Sequence, residues 1–205
     1  MPPAKKRAST KPNPTPTAPK GGKPKKAEAA PPAPVVVTAA NETMTLKQVT
    51  SMLNPNPEVA WFKSGKWPCL LDPNTTAGTF LKYRNVNYLE AASPTEMTEE
   101  RIRLALLGGL RFGKPLVIDM GSIDMFHVIT TQVNNLQAGL MDKILDKSIL
   151  LEENFKTLVK SSDEDDYRPD KFTGGMADQF VFILLSSRDV PPPNASDKFY
   201  YILLE

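Results

Sequence analysis

The sequence predicts an α/β domain: a doubly wound, mostly parallel sheet of five strands, preceded by a disordered N-terminal tail. Three observations carry this expectation. Apolar runs without polar alternation recur at residues 67–71, 115–119, 179–186 and 199–204, as strands covered on both faces do. Segments with helical spacing and capping residues alternate with those runs, which is the pattern of a parallel sheet with helices on its faces. The charge is also split. Residues 1–40 hold eight Lys/Arg and one acid, a net +7, whereas the remainder holds 17 basic and 22 acidic groups, a net −5.

The tail is read over residues 1–42. Ten of the 20 prolines fall within residues 1–40 and no aromatic does. Such a segment cannot bury enough apolar surface to offset its ordering entropy, so it is expected to be disordered and partly polyproline II. Its charge would draw it to a polyanion, whether a microtubule surface or nucleic acid, although a solvated tether has the same composition. Residues 43–57 read as a short helix and linker. Leu46, Val49 and Met52/Leu53 recur at helical spacing after Thr43 or Thr45, and Asn54-Pro55-Asn56-Pro57 stops the pattern.

The domain proper is read over residues 58–205. Trp67-Pro68-Cys69-Leu70-Leu71 is a buried strand entering the loop Asp72-Pro73-Asn74, with a helix from about Thr79 to Arg84 and a weaker strand over 86–91. Ser93-Pro94-Thr95-Glu96 reads as a capping box that opens the next helix, and Gly113 stands where it would end. Leu116-Val117-Ile118 runs to Asp119. Helices are expected over 122–134 and 137–151, a surface loop over 161–170, and strands at Phe180–Leu185 and Phe199–Leu204. In such sheets ligands bind beyond the carboxyl ends of the strands, which directs attention to the loops after Leu71, Ile118 and Leu185.

Composition excludes several classes of function. One cysteine, Cys69, excludes a disulfide scaffold, and one histidine, His127, excludes multi-histidine metal sites. No apolar run approaches the ~20 residues of a membrane helix. The acidic run Asp163-Glu164-Asp165-Asp166 reads as a solvated loop or a weak cation site, and Pro191-Pro192-Pro193 as a stiff loop.

The loop after the first strand occupies the place of a phosphate-binding G-x-x-x-x-G-K-[ST] sequence, and its eight positions read Asp72 to Thr79. Asp72 and Ala77 replace the two glycines, Gly78 replaces the lysine, and only Thr79 agrees; Thr76 lies within the window. An anionic Asp72 repels phosphate, and without the lysine no cation reaches it. Asp119 ends its strand as a magnesium-holding Walker B aspartate does, with Met120 where a hydrolytic glutamate would stand. Asp72, Thr76, Ala77, Gly78, Thr79 and Asp119 are therefore the candidate residues of a vestigial nucleotide site.

Trp67-Pro-Cys-Leu-Leu-Asp-Pro-Asn, Phe112-Gly-Lys-Pro-Leu-Val-Ile-Asp and Phe180-Val-Phe-Ile-Leu-Leu-Ser-Ser resemble, in order and spacing, the fifth AAA+ module of dynein heavy chains. Phe80 to Leu89 and Arg103 to Pro115 resemble more closely the carboxyl-terminal region of IQ motif and ankyrin repeat domain-containing proteins. The resemblance covers roughly residues 60–205. It implies the large subdomain of a P-loop NTPase-like AAA+ fold, with strand order 5-1-4-3-2 and no hydrolysis of ATP. No lid helix that would carry a sensor-2 residue is recognised before Glu205. The implied role is a non-catalytic interaction module with a protein partner, needing no cofactor, in a cytoplasmic setting on the cytoskeleton or in a cilium. The alternative is weak binding or hydrolysis of ATP, with Thr79 and Asp119 holding magnesium and the amides of 73–78 around the phosphates.

Overall fold

The computed structural model describes residues 39–172 and 175–205. Apart from its last four residues, the expected tail lies outside the described residues. The sheet has six strands: β1 (Glu42–Met44), β2 (Trp67–Leu71), β3 (Asn87–Glu90), β4 (Leu116–Asp119), β5 (Phe182–Ser186) and β6 (Phe199–Leu204). Their order is β1-β6-β2-β5-β4-β3, and every pair is parallel. The α/β class and the order of the five expected strands therefore hold, while the count is corrected to six and the sheet is wholly parallel. The added strand is β1, within the stretch read as tail and short helix. It lengthens the sheet beside β6, with Asn41 Oδ1 accepting from Tyr201 N at 2.7 Å. The short helix follows directly as a 3-10 turn over Leu46–Met52, where Thr45 and Gln48 form a capping box.

All five residues of β2 and of β5 are buried, as central strands covered on both faces must be. Trp67 meets Phe180 edge to face with ring centroids 5.9 Å apart, and its indole N–H donates to Ile144 O at 2.5 Å. Helix α1 (Ala60–Lys63) precedes β2, and α2 (Thr76–Lys82) follows it. Helix α3 (Glu99–Phe112) begins at Thr98, whose side chain accepts from Arg101 N, and ends at Gly113 with φ 63°. The expected start at Ser93 is corrected for a physical reason. Ser93 O accepts from both Glu96 N and Met97 N in a separate turn, and the Glu96 carboxylate reaches back to Glu90 N at 2.6 Å. Gly109 lets α3 press on the sheet, because a Cβ there would lie 2.7 Å from the Phe180 ring. Helices α4 (Phe126–Leu136) and α5 (Leu140–Leu145) are separated at Gly139, and α6 (Glu152–Phe155) follows.

The chain leaves β2 toward β3 at one edge and leaves β5 toward β6 on the other side. The connections from these two neighbouring strands therefore run in opposite senses, which takes them to opposite faces of a parallel sheet. Ligands of such sheets bind beyond the carboxyl ends of strands so arranged. Asp72 and Ser186 face each other there, with Asp72 N donating to Ser186 O at 2.8 Å.

Candidate functional site: the crevice at the ends of β2, β4 and β5

Asp72 is 1% exposed, and its Oδ2 accepts from Ala77 N at 2.6 Å. Thr75 N donates to Asp72 O at 3.1 Å, and Thr75 turns the chain into α2 from the left-handed region, at φ 57°. The loop is thus held by its own carboxylate. An amide of the first turn of α2, the kind of group that would meet a phosphate oxygen, is already bound to Asp72. Asp72 Oδ1 and Ser186 Oγ are buried without a hydrogen-bond partner among the described residues.

The second half of the crevice is closed by Tyr88, which stands in register with Val117 of β4. Its hydroxyl donates to Asp119 Oδ2 at 2.5 Å, while Asp119 Oδ1 accepts from Gly121 N at 2.8 Å. Burial, reinforced by the hydrogen bond to Asp119, pushes the Tyr88 phenol well above its ordinary range, so it stays protonated and donates. A Cβ placed on Gly78 would lie 2.9 Å from Tyr88 Oη and 3.4 Å from Asp119 Oδ2. A side chain at position 78 would therefore point at Asp119, and the tyrosine hydroxyl stands in its way. The Lys82 ammonium lies 5.0 Å from the Tyr88 ring centroid and is paired with Glu90.

Of the six sequence candidates, the structure joins Asp72 to Ala77 and brings Gly78 beside Asp119. Thr76 and Thr79 are exposed and take no part in these hydrogen bonds. The residue missing from the sequence reading is Tyr88. No local signal marks it there, since its bond to Asp119 joins residues 31 positions apart. Around Asp72 and Asp119 the described partners are N–H and O–H groups, with no cation among them. No cluster of three or more His, Cys, Asp or Glu side chains among the described residues could hold a metal ion. Cys69 is fully buried and its thiol is pushed far up by desolvation, so it offers no nucleophile.

A second polar cluster lies on α3. Arg103 is 3% exposed and donates to Asp163 at 2.6 and 2.7 Å, to Leu158 O at 2.9 Å and to Glu100. Lys160 joins Glu100 at 2.6 Å. The run read as a solvated acidic loop therefore contributes a buried anchor, Asp163, to this cluster. Both carboxyls are held below their ordinary range by hydrogen bonds, chiefly from Arg103, with Glu100 lowered to about 2.

No family model matches the chain, and no solved structure matches it significantly. No helix among the described residues is long and apolar enough to cross a membrane.

Proposed function

We propose that this chain is a non-catalytic interaction module on a degenerate, P-loop NTPase-like sheet of the dynein-related AAA+ kind, acting through a protein partner and needing no cofactor. One observation carries the reading: the Asp72 carboxylate occupies the Ala77 amide at the crevice, which places a fixed negative charge where a phosphate would have to bind. The strand order 5-1-4-3-2 supports the same reading, as does Tyr88 Oη standing over position 78. The basic tail acts as a tether that meets a microtubule surface or nucleic acid electrostatically, in a cytoplasmic, cytoskeletal or ciliary setting.

Losing one charge-assisted phosphate contact removes roughly 1.5–3 kcal/mol, or about ten- to a hundred-fold in affinity. Calorimetric titration with ATP and magnesium should therefore give no heat of binding below about millimolar concentration. Restoring two of the three departed positions takes three substitutions together, Asp72→Gly, Gly78→Lys and Tyr88→Phe, because a side chain at 78 meets the tyrosine hydroxyl first. Micromolar binding by the unmodified chain, abolished in Asp119→Ala, would overturn the reading in favour of a nucleotide-binding protein.

A further inference from the structure

The sheet ends at β3, and the edge of β3 is open where it meets α3. Asn87 N donates to Pro115 O and Ala91 N to Asp119 O, so residues 87, 89 and 91 direct their peptide groups toward β4. The Tyr88 N–H and C=O consequently face outward. Further along, the Glu90 N–H is taken by Glu96, which closes the edge beyond Tyr88. Beside the open part runs a groove of about 480 Å³ between β3 and α3. Its floor is α3 at Ala105 and Gly108, and a Cβ on Gly108 would lie 3.4 Å from Tyr167 Oη and 3.6 Å from Asn87 Nδ2. Arg101 and Lys114 line it, and neither forms an ion pair among the described residues. The Lys114 ammonium lies 5.6 Å from the ring centroid of Phe112, itself 37% exposed.

We infer that this groove seats a short, extended, acidic segment of a partner protein, which adds a strand to the sheet at Tyr88 and pairs its carboxylates with Arg101 and Lys114. The inference rests on the interaction-module reading and supplies its docking surface. The outward peptide group of Tyr88 selects an extended main chain, since strand addition needs a free N–H and C=O at a sheet edge. The two cations select the sign of the partner. The protein's own tail is a poor occupant because it carries a net +7. The acidic run of a second copy is no better: Asp163 is buried against Arg103, and Asp165 is paired with Arg168.

The test uses the full chain and two fluorescein-labelled hexapeptides, one alternating valine and glutamate, the other valine and lysine. Fluorescence anisotropy should show the glutamate peptide binding at least about tenfold tighter, with the gap narrowing in high salt. Arg101→Glu with Lys114→Glu should reverse the preference, and Arg101→Gln with Lys114→Gln should erase it; both pairs lie at the surface, and unchanged thermal unfolding confirms the fold. Hydrogen exchange at the Tyr88 amide should slow on saturation with the glutamate peptide. Equal binding of both peptides, no binding at all, or a preference untouched by charge reversal would overturn the inference. So would a Tyr88 amide already protected in a peptide-free dimer, which would assign the edge to a second copy. Peptide failure beside a silent nucleotide titration removes only this surface, whereas micromolar ATP binding removes the interaction-module reading itself.

Discussion

Two polar clusters in this domain hold their carboxylates in opposite ways. At the crevice, the carboxylates of Asp72 and Asp119 are held by the Ala77 amide, the Gly121 amide and the Tyr88 hydroxyl, and Asp72 Oδ1 has no partner among the described residues. On α3, the carboxylates of Glu100 and Asp163 face the cations Arg103 and Lys160. The second cluster is a matched set, in which Arg103 and Asp163 pair inside the protein and Glu100 and Lys160 pair at its surface. The first holds its acids through N–H and O–H donors. In one cluster charge compensates charge, whereas in the other neutral donors hold the acids.

The sharpest way to break this contrast is to unbalance the matched cluster. Arg103→Leu leaves Asp163 buried without its cation and should lower unfolding stability by about 3–5 kcal/mol in a denaturant titration. The same cluster fixes an acid limit. A carboxyl whose folded pKa is depressed contributes stability at pH values above its ordinary range, and that contribution is lost as pH falls toward the folded value. Stability should therefore decline from about pH 4.5 toward about 2, the value to which Arg103 and Lys160 draw Glu100. In Arg103→Leu this limb should flatten. An unchanged acid limb in that variant would show that the pairs have no part in it.

A smaller effect sharpens the other side. Gly78→Ala forces a methyl to 2.9 Å from Tyr88 Oη and should destabilise by about 1–3 kcal/mol. Tyr88→Phe removes the obstructing oxygen and also leaves Asp119 Oδ2 without its donor. The double variant should then be more stable than the sum of the two single changes implies, by more than about 0.5 kcal/mol. Strict additivity would mean that the hydroxyl does not block position 78. Smallest of all should be Asp72→Asn, which keeps an acceptor for Ala77 N while removing the charge; a change within about 1 kcal/mol is expected, against a larger loss in Asp72→Ala. A strong loss in Asp72→Asn would mean that the charge itself, and not merely an acceptor, holds the loop.

Much of the sheet was legible because its central strands are continuous apolar runs, for which burial on both faces is the one economical outcome. Trp67–Leu71 and the stretch from Phe182 to Leu185 have no polar side to misplace. Strand β1 was not legible. Its three residues, Glu42-Thr43-Met44, have little apolar character of their own and become a strand only against β6. The start of α3 was displaced because Glu96, which looks like a capping residue, finds its amide on β3 instead. At the crevice, Asp72 could be singled out from the letters alone, since it stands directly after an apolar strand at the start of one short loop. Tyr88 could not, because its bond to Asp119 joins positions far apart in the chain. Asp163 was hidden for the same reason, its partner Arg103 lying 60 positions away.

The placement of β1 has a consequence for the order in which the sheet is assembled. Its partner β6 is the last strand in the sequence, and the Tyr201–Asn41 bond spans 160 positions. In an unfolded chain that is a distant encounter, and the search for it slows as the separation of the contacting residues grows. Once β6 has docked beside β2, however, only the segment from residue 45 to residue 66 separates β1 from the sheet, and the same pairing becomes a short-range event. Strand β1 is therefore expected to pair after β6 has docked and, as a three-residue edge strand paired with β6, to open locally with little disturbance of the sheet behind it.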